Sequence, residues 1–241
     1  MVEIRKYNKN FLTKVIARLD FNNVINFSNF SEDTRKKLEQ EYDIKHGKIS
    51  NIEFDMMLGK KEEKSIPTLE FETKEKTFKI TLSSSFIVFQ CTKYSTFEPF
   101  YSKINYFLSL LPFSIDVVNR LGLRYINQID LYEPEPVKWE NYINNKLIAF
   151  IDNWSEKNNL ARAISQLFFN DGSCVVNFKY GIFNPIFPNK IIQKQFILDY
   201  DCSSNGIEFS NIKDTLDKFN KKITKLFEDS ISDGLRSIMG E

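Results

Sequence analysis

The chain has 241 residues, of which 42% are hydrophobic and 27% charged, and these proportions are typical of folded domains and exclude a globally disordered chain. The 33 Lys and Arg against 32 Asp and Glu leave a formal net charge of +1, which gives no overall field to attract a polyanion. Composition therefore does not favour nucleic acid as a partner, without excluding a local basic patch.

The cysteines and the N-terminal residues indicate in which cellular compartment the protein is expected. Cys91, Cys174 and Cys202 lie far apart without a CxxC pair, which argues against a disulfide scaffold and against a thiolate metal site. The N-terminal residues mix charged and apolar types from the start, and no apolar run approaches the roughly 18 residues that a membrane span needs. We therefore expect a cytoplasmic protein without a signal peptide or membrane association.

The first third of the chain predicts a strand, a helix and two further strands. Residues 11–21 alternate apolar and polar side chains, as a strand does. Ser31 is suited to cap a helix that begins just after it. Residues 43–76 predict two edge strands around an exposed KKEEKS turn, with His46 in a polar loop.

A hairpin, a helix and a long strand follow. Residues 78–82 and 86–91 predict paired strands, and the helix after them ends at Pro112. Residues 116–131 predict a strand that contains GLRYIN. The EPEP segment after this strand should lie outside the sheet because proline lacks the N–H that a ladder needs.

The second half predicts helix, hairpin, strand and helix. A helical stripe covers residues 139–154, and Asp171 and Gly172 suit a tight primed turn between two strands. Residues 194–204 predict another strand. From Ile212 to Met239 apolar residues step by three and four, with a kink or break near Gly234.

These elements predict an α+β fold. We expect mainly antiparallel sheet built from hairpins and packed by helices, including the long amphipathic C-terminal helix. A single compact domain over residues 1–241 is expected. The order of the elements is also compatible with two similar halves, 1–133 and 137–241.

Several catalytic patterns are missing from the sequence. His46 is the only histidine, which removes multi-histidine metal sites and most histidine-dependent acid–base schemes unless it acts alone. The eight glycines occur singly, without a phosphate-binding loop, a dinucleotide-binding loop or a GxSxG elbow. We therefore assign no catalytic residue, no metal ligand and no cofactor.

Carboxylate chemistry remains open at Asp199 and Asp201. Two residues apart on a strand, they project to one face and could share a divalent cation, as in metal-dependent phosphodiesterases and nucleases. Simple alternation explains them equally well, with the acids facing water and the apolar residues between them facing the core. The interpretation as simple alternation is favoured, because a strand with one buried face has polar residues at positions 199 and 201 in any case.

Arg124 is the second candidate. It lies among apolar residues on the GLRYIN strand, and a buried guanidinium is costly without a carboxylate. Asp130, Asp199 and Asp201 are possible partners. Arg124 either forms an internal ion pair that fixes strand register, the favoured interpretation, or binds an anionic ligand or a partner's carboxylate.

Three stretches resemble the signatures of a sporadically distributed family of prokaryotic proteins of similar length. They are LGLRYINQIDL at 121–131, FILDYD at 196–201 and LFEDSISDGLRSIMGE at 226–241. The family has no established activity, and its patchy distribution is similar to that of mobile islands, including phage-defence and toxin–antitoxin loci. The resemblance implies that a binding site, if present, lies at Arg124, Tyr125, Asn127, Asp199 and Asp201, which would equally serve as a signature of the fold.

We therefore expect a non-enzymatic binding protein: an accessory, sensor or neutralising partner in such a system, bound to another protein, such as one encoded nearby. Docking is expected through the C-terminal helix, whose deletion from residue 227 should leave a folded core. The docking residues would be Leu226, Phe227, Leu235 and Ile238. The alternatives are a metal-dependent phosphodiesterase and a small-ligand-binding protein with a Phe-lined cavity between sheet and long helix. The oligomeric state stays open.

Overall fold

The structure is a computed structural model that describes residues 7–22, 30–55, 60–112 and 115–240, with the backbone alone for residues 50–55 and 60–64. These residues form nine strands and five α-helices. The strands are β1 (Leu12–Asp20), β2 (Tyr42–Asp55), β3 (Lys60–Thr73), β4 (Phe78–Ser83), β5 (Phe86–Cys91), β6 (Val117–Leu131), β7 (Ala163–Asn170), β8 (Val175–Ile182) and β9 (Lys194–Glu208). The helices are α1 (Glu32–Glu41), α2 (Phe97–Ser109), α3 (Asn145–Asp152), α4 (Ile212–Ser230) and α5 (Asp233–Met239).

The strands lie in the order β2-β3-β4-β5-β1-β6-β9-β8-β7, so that β2 and β7 are the two end strands. Neighbours pair antiparallel in the β2–β3–β4–β5 and β7–β8–β9 series. The predicted α+β class, with antiparallel hairpins and helices that include a long one near the C-terminus, is confirmed.

The chain divides into two compact units. Unit 1 comprises Met1–Val15, Leu123–Ser204 and Asp214–Glu241, and unit 2 comprises Ile16–Gly122 and Asn205–Lys213. The two units alternate along the chain, whereas the halves 1–133 and 137–241 are each continuous. The single domain and the two similar halves both stay predictions.

Unit 2 has an aromatic core that packs against α2. The apolar side chains of α2 recur at helical spacing, so that Phe100 and Phe107 face the strands. The ring of Phe107 lies 5.1 Å from that of Phe71 and 5.8 Å from that of Phe89, both at steep angles. Phe100 meets Phe78 at 6.1 Å in the same edge-to-face manner. Such pairs stabilise a core beyond the apolar area they bury.

The predictions for the β2–β3 region need two corrections. His46 lies in β2, paired with Leu69, and not in a loop. The KKEEKS stretch belongs to β3 itself, which lies between β2 and β4 and is not an edge strand. The connection between β2 and β3 falls at residues 56–59, outside the described residues. Backbone pairing with a long neighbour strand overrides the local polar composition here.

Unit 1 packs its helices against one face of its strands. Phe196, Leu198, Tyr200 and Cys202 occupy every second position of β9 and are each 0% exposed. The Tyr200 ring stacks on that of Phe178 at 4.4 Å. Its phenol donates a hydrogen bond to Ser230 Oγ of α4 at 2.8 Å, and burial raises its pKa, so it stays neutral.

The segment after β6 is held by a buried lysine. The Lys194 side chain is 4% exposed, and its Nζ lies 2.8 Å from Glu133 Oε2. It also lies over the rings of Trp139 and Tyr142, at 5.5 and 5.0 Å. The ion pair and the cation–π contacts compensate for burial of the charge. Pro134 and Pro136 lie outside the sheet, as predicted.

Three local predictions for unit 1 can be compared with the structure. The helix predicted over 139–154 is shorter, because Asn144 accepts a hydrogen bond from Lys146 N and caps α3 there. The predicted primed turn at Asp171 and Gly172 is wrong. The β7–β8 loop spans four residues, 171–174, and of the predicted pair only Gly172 has positive φ. The predicted break in the C-terminal helix is confirmed, between Ser230 and Asp233.

The β7–β8 hairpin offers two glycines for a matched test. Gly172 and Gly181 both have positive φ, 82° and 141°. A Cβ at Gly172 would meet nothing within 4 Å, whereas a Cβ at Gly181 would overlap the carbonyl oxygen of Ala163.

We expect Gly172→Ala to lower the free energy of unfolding by about 1–2 kcal/mol, the cost of the backbone conformation alone. Gly181→Ala should lower it by about 3 kcal/mol or more, because β7 must also move away from β8. Urea unfolding of both variants gives the comparison. Equal losses would contradict the close approach of the two strands.

Candidate functional site

The strands of unit 1 present a second face, which we call the open face. Lys179 of β8 pairs with Gln166 of β7 and with Asp199 of β9, so these three side chains point to the same side. Arg124 of β6 joins them through its contact with Asp199. The open face consists of Arg124, Gln128 and Asp130 of β6, Gln195, Ile197, Asp199 and Asp201 of β9, Val175, Asn177 and Lys179 of β8, and Ile164, Gln166 and Phe168 of β7.

On the open face Gln195 and Asp199 are buried, and the other side chains stay at least partly accessible. All of its members on β7 and β8 are exposed or half-buried. Phe168 is 66% exposed and Ile164 is 44% exposed, whereas Phe196, Leu198, Tyr200 and Cys202 on the opposite face of β9 are 0% exposed. Helix contacts go to that opposite face: Tyr200 bonds to α4, and the ring of Tyr180 meets that of Phe150 of α3.

Arg124 and Asp199 form a bidentate ion pair near the centre of the open face. Arg124 Nε donates to Asp199 Oδ1 at 2.8 Å and Nη2 donates to Oδ2 at 2.6 Å. The Asp199 side chain is 11% exposed and that of Arg124 is 39% exposed. The hydrogen bonds to Asp199 raise the pKa of Arg124, and the negative charge of Asp201 acts in the same direction. The pair presents a half-exposed, permanently charged guanidinium in a fixed orientation.

The five site residues suggested by the sequence divide between two faces. Arg124, Asp199 and Asp201 meet on the open face. Tyr125 and Asn127 lie on the opposite face and are 7% and 6% exposed. The Tyr125 phenol donates to Asn220 Oδ1 of α4 at 2.9 Å, and Asn127 Nδ2 donates to the Leu198 carbonyl at 3.4 Å. In this arrangement Tyr125 and Asn127 bind the protein's own helix and strand.

The two aspartates do not form an open pair of metal ligands. Both carboxylate oxygens of Asp199 accept hydrogen bonds from Arg124, so a divalent cation would have to displace a guanidinium of the same sign. Across the described ranges, 7–22, 30–55, 60–112 and 115–240, no group of three His, Cys, Asp or Glu residues could hold a metal ion. The donor set is therefore suited to hydrogen bonding.

Two polar features of the open face are missed by sequence reasoning. Lys179 is exposed at the centre of the open face. The pairing of β7, β8 and β9 brings this residue there. At one end, Asp130 accepts hydrogen bonds from Gln128 Nε2 at 2.9 Å and from Gln195 Nε2 at 2.6 Å, while Gln195 Oε1 is buried without a partner. Alternation along β9 could have indicated Gln195, whereas nothing in the sequence indicates which residue it meets.

Of the four docking residues predicted on the C-terminal helix, one is buried in the core and three stay partly accessible. Leu235 is 0% exposed, and Leu226, Phe227 and Ile238 are half-buried. Tyr7 donates to both carboxylate oxygens of Glu228, at 2.9 and 3.0 Å.

Deletion from residue 227 would therefore remove part of the core. Ile231, Leu235 and Met239 are at most 3% exposed. The expectation that such a deletion leaves an intact core does not fit this packing.

A small cavity lies elsewhere in the protein, in unit 2. Its volume is about 280 Å³, at the low end for ligand sites. The Tyr106 phenol donates to Glu41 Oε1 at 2.7 Å beside it, and burial, together with the Glu41 charge, raises the pKa of Tyr42 to about 12. The cavity is lined by Glu41, Tyr42, Thr73, Ser102, Lys103 and Tyr106. None of these lining residues belongs to the long C-terminal helix, beside which the sequence predicts a ligand cavity.

A double-mutant cycle measures the Arg124–Asp199 pair. Arg124→Met and Asp199→Asn each break the bidentate contact, and we expect a coupling free energy of about 1–2 kcal/mol from urea unfolding, reduced by the partial exposure of Arg124. The exposed pair Lys36–Glu32, with a similar N–O distance of 2.8 Å, is the control and should couple by about 0.5 kcal/mol or less. Equal coupling in the two cycles would contradict the special role of the buried carboxylate.

Comparisons with models of protein families and with curated protein sequences found no match. The family resemblance therefore stays a prediction. In the part of the chain that the structure describes, helices are too short or too polar to cross a bilayer. The function has to be inferred from the geometry of the open face.

Proposed function

We propose that the protein is a non-enzymatic binding protein and that another protein docks on its open face. The observation that supports this is the contrast between the two faces of unit 1. On β8 and β9 the apolar side chains of one face are buried, and the other face presents a fixed ion pair beside exposed apolar side chains. Large accessible apolar residues next to oriented polar groups are typical of protein-binding surfaces.

The charges of the open face favour a protein partner over a nucleic acid. Arg124 and Lys179 supply positive charge, and Asp130, Asp199 and Asp201 supply negative charge. Nucleic-acid sites need a basic surface that neutralises several phosphates. A mixed surface instead selects a partner with complementary charges in a matching arrangement.

Phe168 provides the apolar anchor of this surface. It is 66% exposed and lies in register with Asn177, next to the row of Lys179. Aromatic side chains near charged groups frequently dominate the binding energy of an interface. The partner is therefore expected to offer an apolar pocket flanked by charged groups.

The biological setting of the proposal rests on the family resemblance. An accessory, sensor or neutralising role in a phage-defence or toxin–antitoxin type of system, in the cytoplasm and with a partner encoded nearby, is compatible with a binding protein of this kind. The metal-dependent phosphodiesterase is less well supported because Asp199 is occupied by Arg124. Cleavage of nucleic acid that requires Mg²⁺ or Mn²⁺ and disappears in Asp199→Asn would favour that alternative.

The proposal predicts that partner capture depends on Lys179. Tagged protein is used to capture partners from its native host, with and without nuclease, and the eluate is quantified by mass spectrometry. Lys179→Glu reverses an exposed charge at the centre of the open face and should lower capture of a stoichiometric protein at least about tenfold, a loss of roughly 1.4 kcal/mol.

Lys37→Glu is the matched control, because Lys37 is also exposed but lies on α1 of unit 2. It should capture the partner at the wild-type level. Equal capture by both variants would contradict docking on the open face. Loss of all captured material on nuclease treatment would point to nucleic acid.

A further inference from the structure

β7 is an end strand without the usual protection of such strands. Among the residues that the structure describes, no other strand pairs with its outer side, and every residue from Ala163 to Asn170 is exposed or half-buried. The segment AISQLFFN contains no charged residue and no proline. Natural proteins generally place lysine, proline or a covering element on a free edge, because its unpaired N–H and C=O groups recruit another strand.

Both faces of β7 also expose large apolar side chains. Ile164 and Phe168 project on the side of the open face, at 44% and 66% exposure. Leu167 and Phe169 project on the opposite side, at 39% and 40% exposure. Four large, exposed apolar side chains within the six residues 164–169 of a strand edge are a feature that marks interfaces.

We propose that a second copy of this chain occupies this edge, through antiparallel pairing of β7 with the β7 of the second copy. A twofold axis perpendicular to the sheet relates the two strands, so each contact away from the axis occurs twice. Residues opposite each other in an antiparallel pair point to the same face. In such a self-pair two opposed residues therefore both have even numbers or both have odd numbers. Each possible register is then defined by the residue that lies on the axis.

The order of side chains along β7 is self-complementary in one such register. On the face opposite the open face, the small residues Ala163 and Ser165 come first and the bulky Leu167 and Phe169 come last. With Gln166 on the axis, Phe169 meets Ala163 of the second copy and Leu167 meets Ser165, so each bulky side chain faces a small one.

The open-face side of the same register is complementary as well. Ile164 meets Phe168 of the second copy, and Gln166 meets Gln166. The neighbouring register, with Leu167 on the axis, would instead place Phe168 against Gln166 and Ile164 against Asn170. Apolar against polar pairs are weaker than apolar pairs, so the register on Gln166 is favoured.

The lack of charged residues in β7 is also compatible with pairing to a second copy. A residue on the twofold axis meets itself, so a charged residue there would face its own charge, and β7 has none. The axis also leaves the two open faces on the same side of the extended sheet. The dimer is measured on the purified chain alone, so failure of partner capture and failure of dimerisation are distinguishable.

The test is the molar mass of the full-length chain in solution, followed by sedimentation velocity over a range of concentrations. The wild type should show twice the chain mass. Gln166→Lys places two ammonium groups against each other on the axis and should weaken the dimer at least about tenfold. Gln40→Lys, the same change at an exposed position of α1, should leave the dimer unchanged.

A cysteine variant tests the register. Directly opposed residues have Cβ atoms about 4.5–5.5 Å apart, close to the separation that a disulfide needs. Gln166→Cys, oxidised with copper phenanthroline and dissolved oxygen, should give a covalent dimer, whereas Leu167→Cys should link far more slowly. The native Cys91, Cys174 and Cys202 are buried and give the background in the unmodified chain.

Three outcomes would overturn the proposal. The wild type could stay monomeric at all concentrations, the dimer could be insensitive to Gln166→Lys, or Leu167→Cys could link faster than Gln166→Cys. The circular dichroism of each variant should match that of the wild type. A dimer that Gln166→Lys dissociates and Gln166→Cys links would support it.

Discussion

The alternation of side chains on β8 and β9 is the constraint on which unit 1 depends. Phe196, Leu198, Tyr200 and Cys202 must all face the helices, and they are fully buried. Since the period along a strand is two, a slip of one residue would move this whole set to the other face. The same constraint places Asp199 and Asp201 on the open face and gives them their position next to β6.

Arg124 fixes how β6 meets β9 on that face. The bidentate contact with Asp199 defines one relative position of the two strands, and a guanidinium that is only partly exposed would be costly without it. The ion pair and a binding role are compatible, because 39% of the Arg124 side chain remains accessible. A partner would meet a charge that is already oriented, so little entropy is lost on binding.

Sequence reasoning succeeds here where the determinant is local and fails where it is long-range. Ser31 caps α1 through its own neighbour Thr34, and Phe86 to Cys91 forms a strand from its own pattern. The sequence reduces the partner of Arg124 to three acids, but the choice of Asp199 depends on the adjacency of β6 and β9. His46 lies in a strand and Leu235 in the core because of residues far away in sequence. The free edge of β7 could not be predicted either, because the sequence does not show which strands lie at the ends of the sheet.

Lysine acylation of the free protein and of the captured complex tests most directly whether the open face binds the partner. Lys179 lies on the open face, and Lys221 and Lys225 are exposed on α4, so one mass-spectrometric experiment compares the open face with the C-terminal helix. The account predicts that the complex protects Lys179 while Lys221 and Lys225 react as in the free protein. Protection of the α4 lysines with unchanged labelling of Lys179 would contradict it and would return the binding surface to the C-terminal helix.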